Sequence, residues 1–343
     1  MQFASDNTSG VADEILTAIA AESGRYDQAY GEDEATARLT GLFSDLFERP
    51  VLVHPVVSGT AANCLALATL TPPWGEVLCH ENAHIATDEA GAPEFYSGAR
   101  LLLLPGDGGK VDPAALEAPF RRTRHGVHSS VPSTLSLTQA TEAGTVYTVD
   151  ELAALVAVVR PHGLRVHMDG ARFANALVHL GVTPAEATWK AGIDVLSFGA
   201  TKNGALGAEA VVYFDPALEG EFERRRKRAG HLLSKLRFVS AQLEAYLADD
   251  LWLRNAAVAN SMAARLAAGL APLEGVMVHG RVEANEIFAS LPRAMADALE
   301  AAGATFLGDS DDRWTHLRLV TSFSATEAEV DRFPTGAASA VVS

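Results

Sequence analysis

The sequence predicts a mostly parallel α/β sheet with helices on both faces, followed by a smaller C-terminal α+β domain. Between residues 51 and 214, short apolar segments alternate with segments whose apolar residues recur at helical spacing. After Asp215-Pro216 a long, almost entirely helical region begins, and short strand-like segments return beyond Gly275. We therefore expect an N-terminal arm and helix over residues 1–20, a large domain over 21–250 and a small domain over 251–343.

The individual elements follow from these patterns in chain order. Residues 1–10 are mostly polar and predict an arm, whereas Ile15, Leu16 and Ile19 predict a helix over 11–23. Apolar segments in the large domain predict strands at 51–57, 76–79, 100–104, 133–139, 165–169 and 195–199. Helices are predicted at 34–46, at 58–70, at 113–122 and at 149–162. The small domain has predicted strands at 276–279, 286–291 and 317–321 around a helix at 293–302, and residues 334–343 are expected to fray.

Composition excludes several classes of function. The chain has 343 residues, a formal net charge of −16 and two cysteines. This negative charge argues against nucleic acid and anionic membranes as partners. Cys64 and Cys79 lie in apolar segments and are interpreted as buried thiols in a reducing compartment. The N-terminus lacks the regions of a signal peptide and no apolar run could span a bilayer, so we expect a cytoplasmic protein without membrane contact.

Two neighbouring predicted strands end in residues that suit a catalytic site. The strand at 195–199 runs into small residues and then Lys202, and the strand at 165–169 ends in Asp169. A lysine at a buried strand end is a candidate Schiff-base former, because burial favours the free amine over the ammonium ion. Taken alone, such a lysine is more often a surface residue. The alternative role for the aspartate is a helix N-cap. Because parallel strands share a carboxyl edge, we expect both side chains at one site.

The turn Ser58-Gly59-Thr60 precedes a predicted helix. Small residues there expose backbone N–H groups and the positive end of the helix dipole, which is a site for a phosphate group. The simpler interpretation is an N-cap formed by Ser58 or Thr60.

These residues together match the requirements of pyridoxal phosphate (PLP). This cofactor needs an amine for its aldehyde, a carboxylate beside its pyridine nitrogen, a platform against its ring and an anion site. Lys202, Asp169, His84 and the Ser58-Gly59-Thr60 turn supply these in that order. The histidines and carboxylates do not group at zinc spacing, so no catalytic metal is expected.

A nucleotide-binding module is the alternative from another class. It would use the Ser58 turn, or Gly106-Asp-Gly-Gly-Lys110, for a phosphate. The second segment is too short for a P-loop and lacks the Ser or Thr after its lysine. A yellow protein that borohydride bleaches at Lys202 would exclude this alternative.

Several motifs, spread over nearly the whole chain, resemble the low-specificity L-threonine aldolases, and in particular their bacterial branch. They are Tyr30-Gly-Glu-Asp33, Ser58-Gly-Thr-Ala-Ala-Asn63, His84 with Glu89-Ala-Gly91, His167-Met-Asp-Gly-Ala-Arg172 and Ser197-Phe-Gly-Ala-Thr-Lys-Asn-Gly204. The resemblance implies a fold-type-I PLP-dependent transferase-like fold and cleavage of L-threonine, L-allo-threonine and related β-hydroxy-α-amino acids to glycine and an aldehyde. A β-eliminating lyase or an amino acid racemase on the same fold is the alternative, in which Lys202 would act as the Cα base.

The resemblance also implies roles for individual residues. Lys202 would bind the cofactor aldehyde, His84 would stack on the ring, and Asp169 would pair with the pyridinium nitrogen. Ser58, Gly59 and Thr60 would hold the phosphate, and Arg172 would contact the ring oxygen. Ser5, Arg172 and Arg318 would hold the substrate carboxylate, and Asp88 and His128 would lie near the substrate hydroxyl. His128 takes the place of a histidine that other branches have near Ala140-Thr-Glu142. The base that removes the hydroxyl proton would be either His128 or His84.

The family is built from dimers paired into tetramers, with each site at a subunit interface. A basic residue of the neighbouring subunit is therefore expected near the phosphate, and the candidates are Arg228, Lys235 and Arg237.

Overall fold

A computed structural model describes residues 1–341 of the chain. The large domain contains seven strands: β1 (Leu52–Val56), β2 (Gly75–His80), β3 (Arg100–Leu104), β4 (Val131–Thr138), β5 (Arg165–Gly170), β6 (Val195–Gly199) and β7 (Glu209–Tyr213). They form one sheet in the order β1-β7-β6-β5-β4-β2-β3. The five strands from β3 to β6 are mutually parallel, and β7 runs antiparallel to both β6 and β1. The predicted mostly parallel sheet is therefore confirmed.

Within the described residues the large domain also contains eleven α-helices, counting the long helix that leads into the small domain. They are α1 (Asp13–Ser23), α2 (Glu34–Leu46), α3 (Gly59–Leu70), α4 (His84–Thr87), α5 (Ala92–Ser97), α6 (Pro113–Arg121), α7 (Val149–Val159), α8 (Phe173–Leu180), α9 (Phe222–Arg228), α10 (Arg237–Leu247) and α11 (Leu251–Leu270). On one face of the sheet, α3 and α9 pack on β1, β6 and β7 through a buried apolar cluster that includes Leu65, Val211 and Phe222. On the other face, α2, α7, α8 and α10 contribute to the main core.

The register of the sheet places the predicted catalytic residues at one edge. Asp169 on β5 lies opposite Thr138 of β4 and Ser197 of β6, close to the carboxyl end of all three strands. Lys202 follows the end of β6 by three residues. The expectation that both side chains lie at the same sheet edge is therefore met.

The small domain is built on a second sheet that is entirely antiparallel. Its strands β8 (Met277–His279), β9 (Glu286–Pro292), β10 (Leu307–Ser310) and β11 (Trp314–Val320) lie in the order β10-β11-β9-β8. Helices α12 (Arg293–Ala301) and α13 (Glu327–Val341) pack on it. Strand β10 was not predicted, because all four of its residues are exposed and it has no buried apolar face to detect. Strand β7, which follows the Lys202 turn closely, was also not predicted.

Two segments connect the domains. Helix α11 buries Leu251 and Trp252 in the large core, and Leu266 and Leu270 in the small one. The N-terminal arm crosses to the small domain, where Phe3 is buried and Gln2 bridges to Thr305. The division at residues 20 and 250 stays a prediction.

The C-terminal segment differs from the expectation of fraying. Residues up to 341 belong to α13, because Phe333 and Ala337 are buried in the small core and hold the helix in place. Residues 342–343 of the segment predicted to fray lie outside the described part. No helix within residues 1–341 is both long and apolar enough to cross a membrane.

Candidate active site

A cavity of about 240 Å³ opens at the carboxyl edge of β1, β5 and β6. Six residues predicted from the sequence line it together, namely Ser58, Gly59, Thr60, His84, Asp169 and Lys202. The rest of its wall is formed by Asn7, Val57, Asn63, Glu89, Glu142, Ala171, Thr201 and Glu209. A site that the sequence assembled from distant motifs is therefore one continuous cavity in the folded chain.

Lys202 lies in a short 3-10 turn directly after β6. The turn is anchored by Asn203, whose side-chain amide donates to the hydroxyl of Tyr246 and to the carbonyl of Trp252, both at 2.7 Å. Gly204 closes the turn at φ +117, a conformation that favours glycine. Within residues 1–341 the half-buried Lys202 has no hydrogen bond and no ion pair, so its amine is available for reaction.

Asp169 faces the cavity from the end of β5 and is 3% exposed. Its two oxygens accept hydrogen bonds from the side chain of Asn63 at 2.8 Å and from the backbone N–H of Ala171 at 3.0 Å. These bonds fix the orientation of the carboxylate at the edge of the sheet.

His84 is the first residue of α4 and is paired with a buried carboxylate. Its Nδ1 lies 2.8 Å from an oxygen of Glu89, and the same oxygen accepts a hydrogen bond from Asn63 at 2.9 Å. The Glu89 hydrogen bond raises the pKa of His84, although partial burial of the ring opposes this. With Nδ1 engaged, the other ring nitrogen, Nε2, is the atom free to exchange a proton.

The Ser58 turn combines both interpretations offered by the sequence. Ser58 is the N-cap of α3, and its hydroxyl accepts the N–H of Ala61 at 3.2 Å. This leaves the N–H groups of Gly59 and Thr60 without a partner in the part of the chain that the structure describes. A Cβ placed on Gly59 would meet no atom within 4 Å, so open space lies above these donors. The cap and the anion cradle are thus the same structure.

The competing Gly106–Lys110 segment is engaged elsewhere. The amine of Lys110 donates to both oxygens of Glu151, at 3.0 and 2.7 Å, and lies outside the cavity. Lys110 is the only cation of this segment and is paired with Glu151, so the segment does not favour a phosphate site.

Arg172 and Arg318 do not line the cavity, and Arg172 is held in a buried cluster of charges. Asp6, in a 3-10 turn capped by Ser5, accepts two hydrogen bonds from Arg172 at 2.8 and 3.1 Å. A second carboxylate, Glu286, lies 3.3 Å from Arg172 and 4.0 Å from Arg318. The two arginines that the resemblance assigns to the substrate carboxylate are therefore held next to each other. Ser5 does not line the cavity itself, but the neighbouring Asn7 does.

Burial shapes the charge states in this cluster. It raises the pKa of Glu286, and the nearby Arg172 offsets part of that effect. For Asp6, burial acts in the same direction, but the charges of Arg172 and Lys202 hold its pKa below the ordinary value. The Arg172–Asp6 pair is therefore ionised at neutral pH.

His128 and Asp88 are not in the cavity of this protomer. His128 is exposed and lies beside Glu76 and Arg100 in a separate surface cavity, just before the amino end of β4. Because β4 has eight residues, this position is about 26 Å from the carboxyl edge of the strand. The expectation of His128 beside the substrate hydroxyl is thus not met within one subunit. Asp88 is exposed, accepts the hydroxyl of Thr87 at 2.7 Å, and does not line the cavity.

The three basic residues predicted to reach a neighbouring phosphate lie outside the cavity. Arg228 and Lys235 are exposed, and Arg237 lies 3.8 Å from Glu22. The contact of one of them with the phosphate of a neighbouring subunit stays a prediction.

The cavity wall also contains five polar residues that were not predicted as site residues, namely Asn7, Asn63, Glu89, Glu142 and Glu209. Asn63 and Glu89 belong to the quoted motifs Ser58–Asn63 and Glu89-Ala-Gly91, so a signal for them existed. Glu209 lies in a strand that was not predicted. For Glu142, burial raises the pKa, with Arg172 partly opposing. Its carboxylate has no hydrogen bond or ion pair to the described residues.

A lysine without a partner among the described residues and a buried aspartate, both at the carboxyl edge of a mostly parallel sheet, are characteristic of fold-type-I PLP enzymes. Residues 2–293 match the model of the β-eliminating lyase family, to which the chain belongs. A low specificity L-threonine aldolase of Pseudomonas aeruginosa is 46% identical over 317 residues, covering 91% of each protein. Another, from a Pseudomonas species, is 44% identical over 333 residues, covering 96% of this chain and 94% of the relative.

The fold agrees with these relatives. The solved structure of Leishmania major threonine aldolase superposes with a TM-score of 0.93 at 30% identity, covering 100% of this chain and 99% of that one. The fold class expected from the sequence is therefore confirmed.

Proposed function

We propose that this protein is a PLP-dependent aldehyde-lyase that cleaves L-threonine, L-allo-threonine and related β-hydroxy-α-amino acids to glycine and an aldehyde. The observation that carries the proposal is the unpaired amine of Lys202 in one cavity with Asp169. Its relatives of 46% and 44% identity are low specificity L-threonine aldolases, which favours cleavage of the Cα–Cβ bond over elimination or racemisation.

The residues present fit the cofactor. Lys202 would bind its aldehyde, Asp169 would keep its ring nitrogen protonated, and His84 would lie against the ring. The free N–H groups of Gly59 and Thr60 would hold its phosphate. When bound, the cofactor supplies an electron-accepting ring that stabilises negative charge at Cα of an attached amino acid.

We assign binding of the substrate carboxylate to Arg172 and Arg318, with Ser5 nearby. Asp6 holds the Arg172 guanidinium by two hydrogen bonds, so the cation is oriented before substrate arrives. This orientation would determine which bond at Cα is perpendicular to the ring, and hence which bond breaks.

We assign the removal of the substrate hydroxyl proton to Nε2 of His84. Glu89 occupies Nδ1, and it raises the pKa of the ring. The neutral ring, which is the form able to accept a proton, therefore becomes abundant only at a higher pH than for an ordinary histidine.

We predict that Glu89→Gln shifts the rise of kcat/KM with pH toward lower pH. Removal of the carboxylate removes the interaction that raises the His84 pKa, so the neutral imidazole forms earlier as pH increases. Proton NMR of His84 in wild type and variant gives this pKa independently of turnover. A lower pKa with an unmoved rate profile would assign the base role to another group, such as Glu142.

A substrate panel tests the function directly. Purified protein loaded with PLP is incubated with L-threonine, L-allo-threonine and phenylserine, and the products are identified. Glycine with the matching aldehyde supports the proposal. Pyruvate formation, or inversion at Cα without cleavage, would instead identify a β-eliminating lyase or a racemase.

We further propose a cytoplasmic homo-oligomer, a dimer of dimers, in which His128 serves the site of a neighbouring subunit. The support is its exposed position far from the cavity of its own chain. Mixing inactive Lys202→Ala and His128→Ala subunits is then expected to restore about a quarter of the sites. Mixing Lys202→Ala with His84→Ala should restore none, because these residues share one cavity. Full activity of His128→Ala alone, or failure of the first mixture, would contradict the role in trans.

A further inference from the structure

Glu209 is a buried carboxylate located between the lysine and the phosphate cradle. It is the first residue of β7, where it pairs with Val56 of β1 on one side and with Gly199 of β6 on the other. Two residues after Val56 comes Ser58, which caps α3, and three residues after Gly199 comes Lys202. The side chain lines the cavity together with Gly59, Thr60 and Lys202.

Among the described residues of this subunit, no cation neutralises the carboxylate of Glu209. Glu209 is 6% exposed, and one of its oxygens accepts the backbone N–H of Ala200 at 3.1 Å. Within residues 1–341, no lysine, arginine or histidine nitrogen lies within 4.0 Å of its oxygens. Burial raises the pKa of Glu209 to about 7, although the hydroxyl of Thr201 and the more distant Lys202 act in the opposite direction.

The other charged groups of this subunit that surround Glu209 do not offset its negative charge. On the cavity wall, Glu142, Asp169 and Glu89 are acidic, and His84 is bonded to Glu89. Helix α3 carries no ionisable side chain except Cys64, and burial raises the pKa of that thiol. On the side of α9, Arg226 donates to the carbonyl of Pro55 at 3.3 Å and lies 4.0 Å from Glu223. His54 of β1 lies on the same face, and burial lowers its pKa to about 3, so it is neutral.

We propose that Glu209 is a binding residue for the cofactor phosphate and that it acts as a neutral acid. Its carboxyl O–H donates a hydrogen bond to a phosphate oxygen, so binding of the dianion takes up one proton from solvent onto Glu209. No other bond is made or broken in this step. The inference rests on the proposed function, because it assumes that the cradle at Gly59 and Thr60 holds the phosphate.

The physical reason is electrostatic. A bound phosphate brings a charge of about −1.5 to −2. Beside an ionised carboxylate in a poorly solvated cavity this charge would be strongly repelled, and protonation of the carboxyl converts the repulsion into a hydrogen bond. In the protein without cofactor, burial raises the pKa of Glu209 to about 7. The free-energy cost of protonating it is therefore small at pH 7 and grows as the pH rises.

Glu209→Gln is the matched variant, since its amide has nearly the same shape, is always neutral and can donate. PLP is titrated into the apoprotein of wild type and variant between about pH 6.5 and pH 9, with bound cofactor followed by absorbance. Relative to the variant, wild-type affinity should fall by up to about tenfold per pH unit above pH 7. With pyridoxal, which lacks the phosphate, the ratio of the two affinities should not change with pH. Parallel pH curves for PLP in the two proteins would overturn the inference.

Wild-type calorimetry provides a test that does not depend on folding of the variant. Proton uptake is obtained from the heat of binding in two buffers with different ionisation enthalpies, at a pH above 7. PLP should take up about one proton more than pyridoxal, and Glu209→Gln should lack this difference. Equal uptake for both ligands in wild type would reject the role of Glu209 while leaving the proposed function intact. A protein that binds no PLP at any pH would contradict the proposed function itself.

Discussion

Lys202→Ala is expected to abolish covalent attachment of PLP and to lower aldolase turnover by about 10⁴-fold or more. The physical reason is that no other lysine lines the cavity formed by the described residues, so no second amine can replace it. The measurement is mass spectrometry of borohydride-reduced protein, combined with glycine formation from L-threonine. Wild type should gain one cofactor on a peptide that contains Lys202, and the variant should gain none.

Lys190→Ala is the control for this experiment. Lys190 is exposed and pairs with Glu48 at 2.6 Å on the surface, so its loss should leave cofactor attachment and turnover as in wild type. If Lys202→Ala retained turnover, or if reduction labelled a different lysine, the assignment of the site would be wrong.

Arg172→Leu is expected to lower the free energy of unfolding by about 3–5 kcal/mol and to raise the KM for threonine. The substitution leaves Asp6 and Glu286, which are 1% exposed, as buried carboxylates without their shared cation. It also removes one of the two guanidinium groups assigned to the substrate carboxylate. Denaturant unfolding of the apoprotein measures the stability without any contribution from cofactor.

The pH dependence of this effect has a definite sign. In wild type the pKa of Asp6 is lowered, so its pairing stabilises the fold above the unfolded pKa and is lost as pH falls through the folded pKa. In Arg172→Leu the pKa of Asp6 should instead lie above its unfolded value, and the pKa of Glu286, which burial already raises in wild type, should rise further. The loss of stability should therefore be large at pH 8 and should decrease toward pH 5, where the acids become neutral.

A second substitution separates charge from packing. Adding Glu286→Gln to Arg172→Leu removes one unpaired charge and should recover part of the lost stability at pH 8. Arg281→Leu, at an arginine whose side chain is 86% exposed, should have little effect. If the Arg172→Leu loss were equal at both pH values and the second substitution recovered nothing, packing rather than charge would be the cause.

The sequence by itself determined six of the seven strands of the large sheet, and it placed Asp169 and Lys202 at the ends of two of them. The strands that carry Asp169 and Lys202 are apolar and buried, so their pattern is visible locally, and the shared edge follows from their parallel direction. The Ser58 cap was also predictable, because a cap depends on residues three positions apart. These features depend on short stretches of chain whose geometry is nearly independent of what lies around them.

Only the tertiary structure decided which groups meet across the site. Asp6 contacts Arg172 across 166 residues of sequence, and Glu89 bonds to both His84 and Asn63. Glu209 lies on a strand that no sequence pattern predicted. The tertiary structure also places His128 at the amino end of β4, at the opposite end of the strand from the site. Periodicity reports whether a side chain is buried, but the partners of a buried charge depend on the path of the whole chain. Burial then sets the protonation states of these carboxylates, and that property exists only in the folded protein.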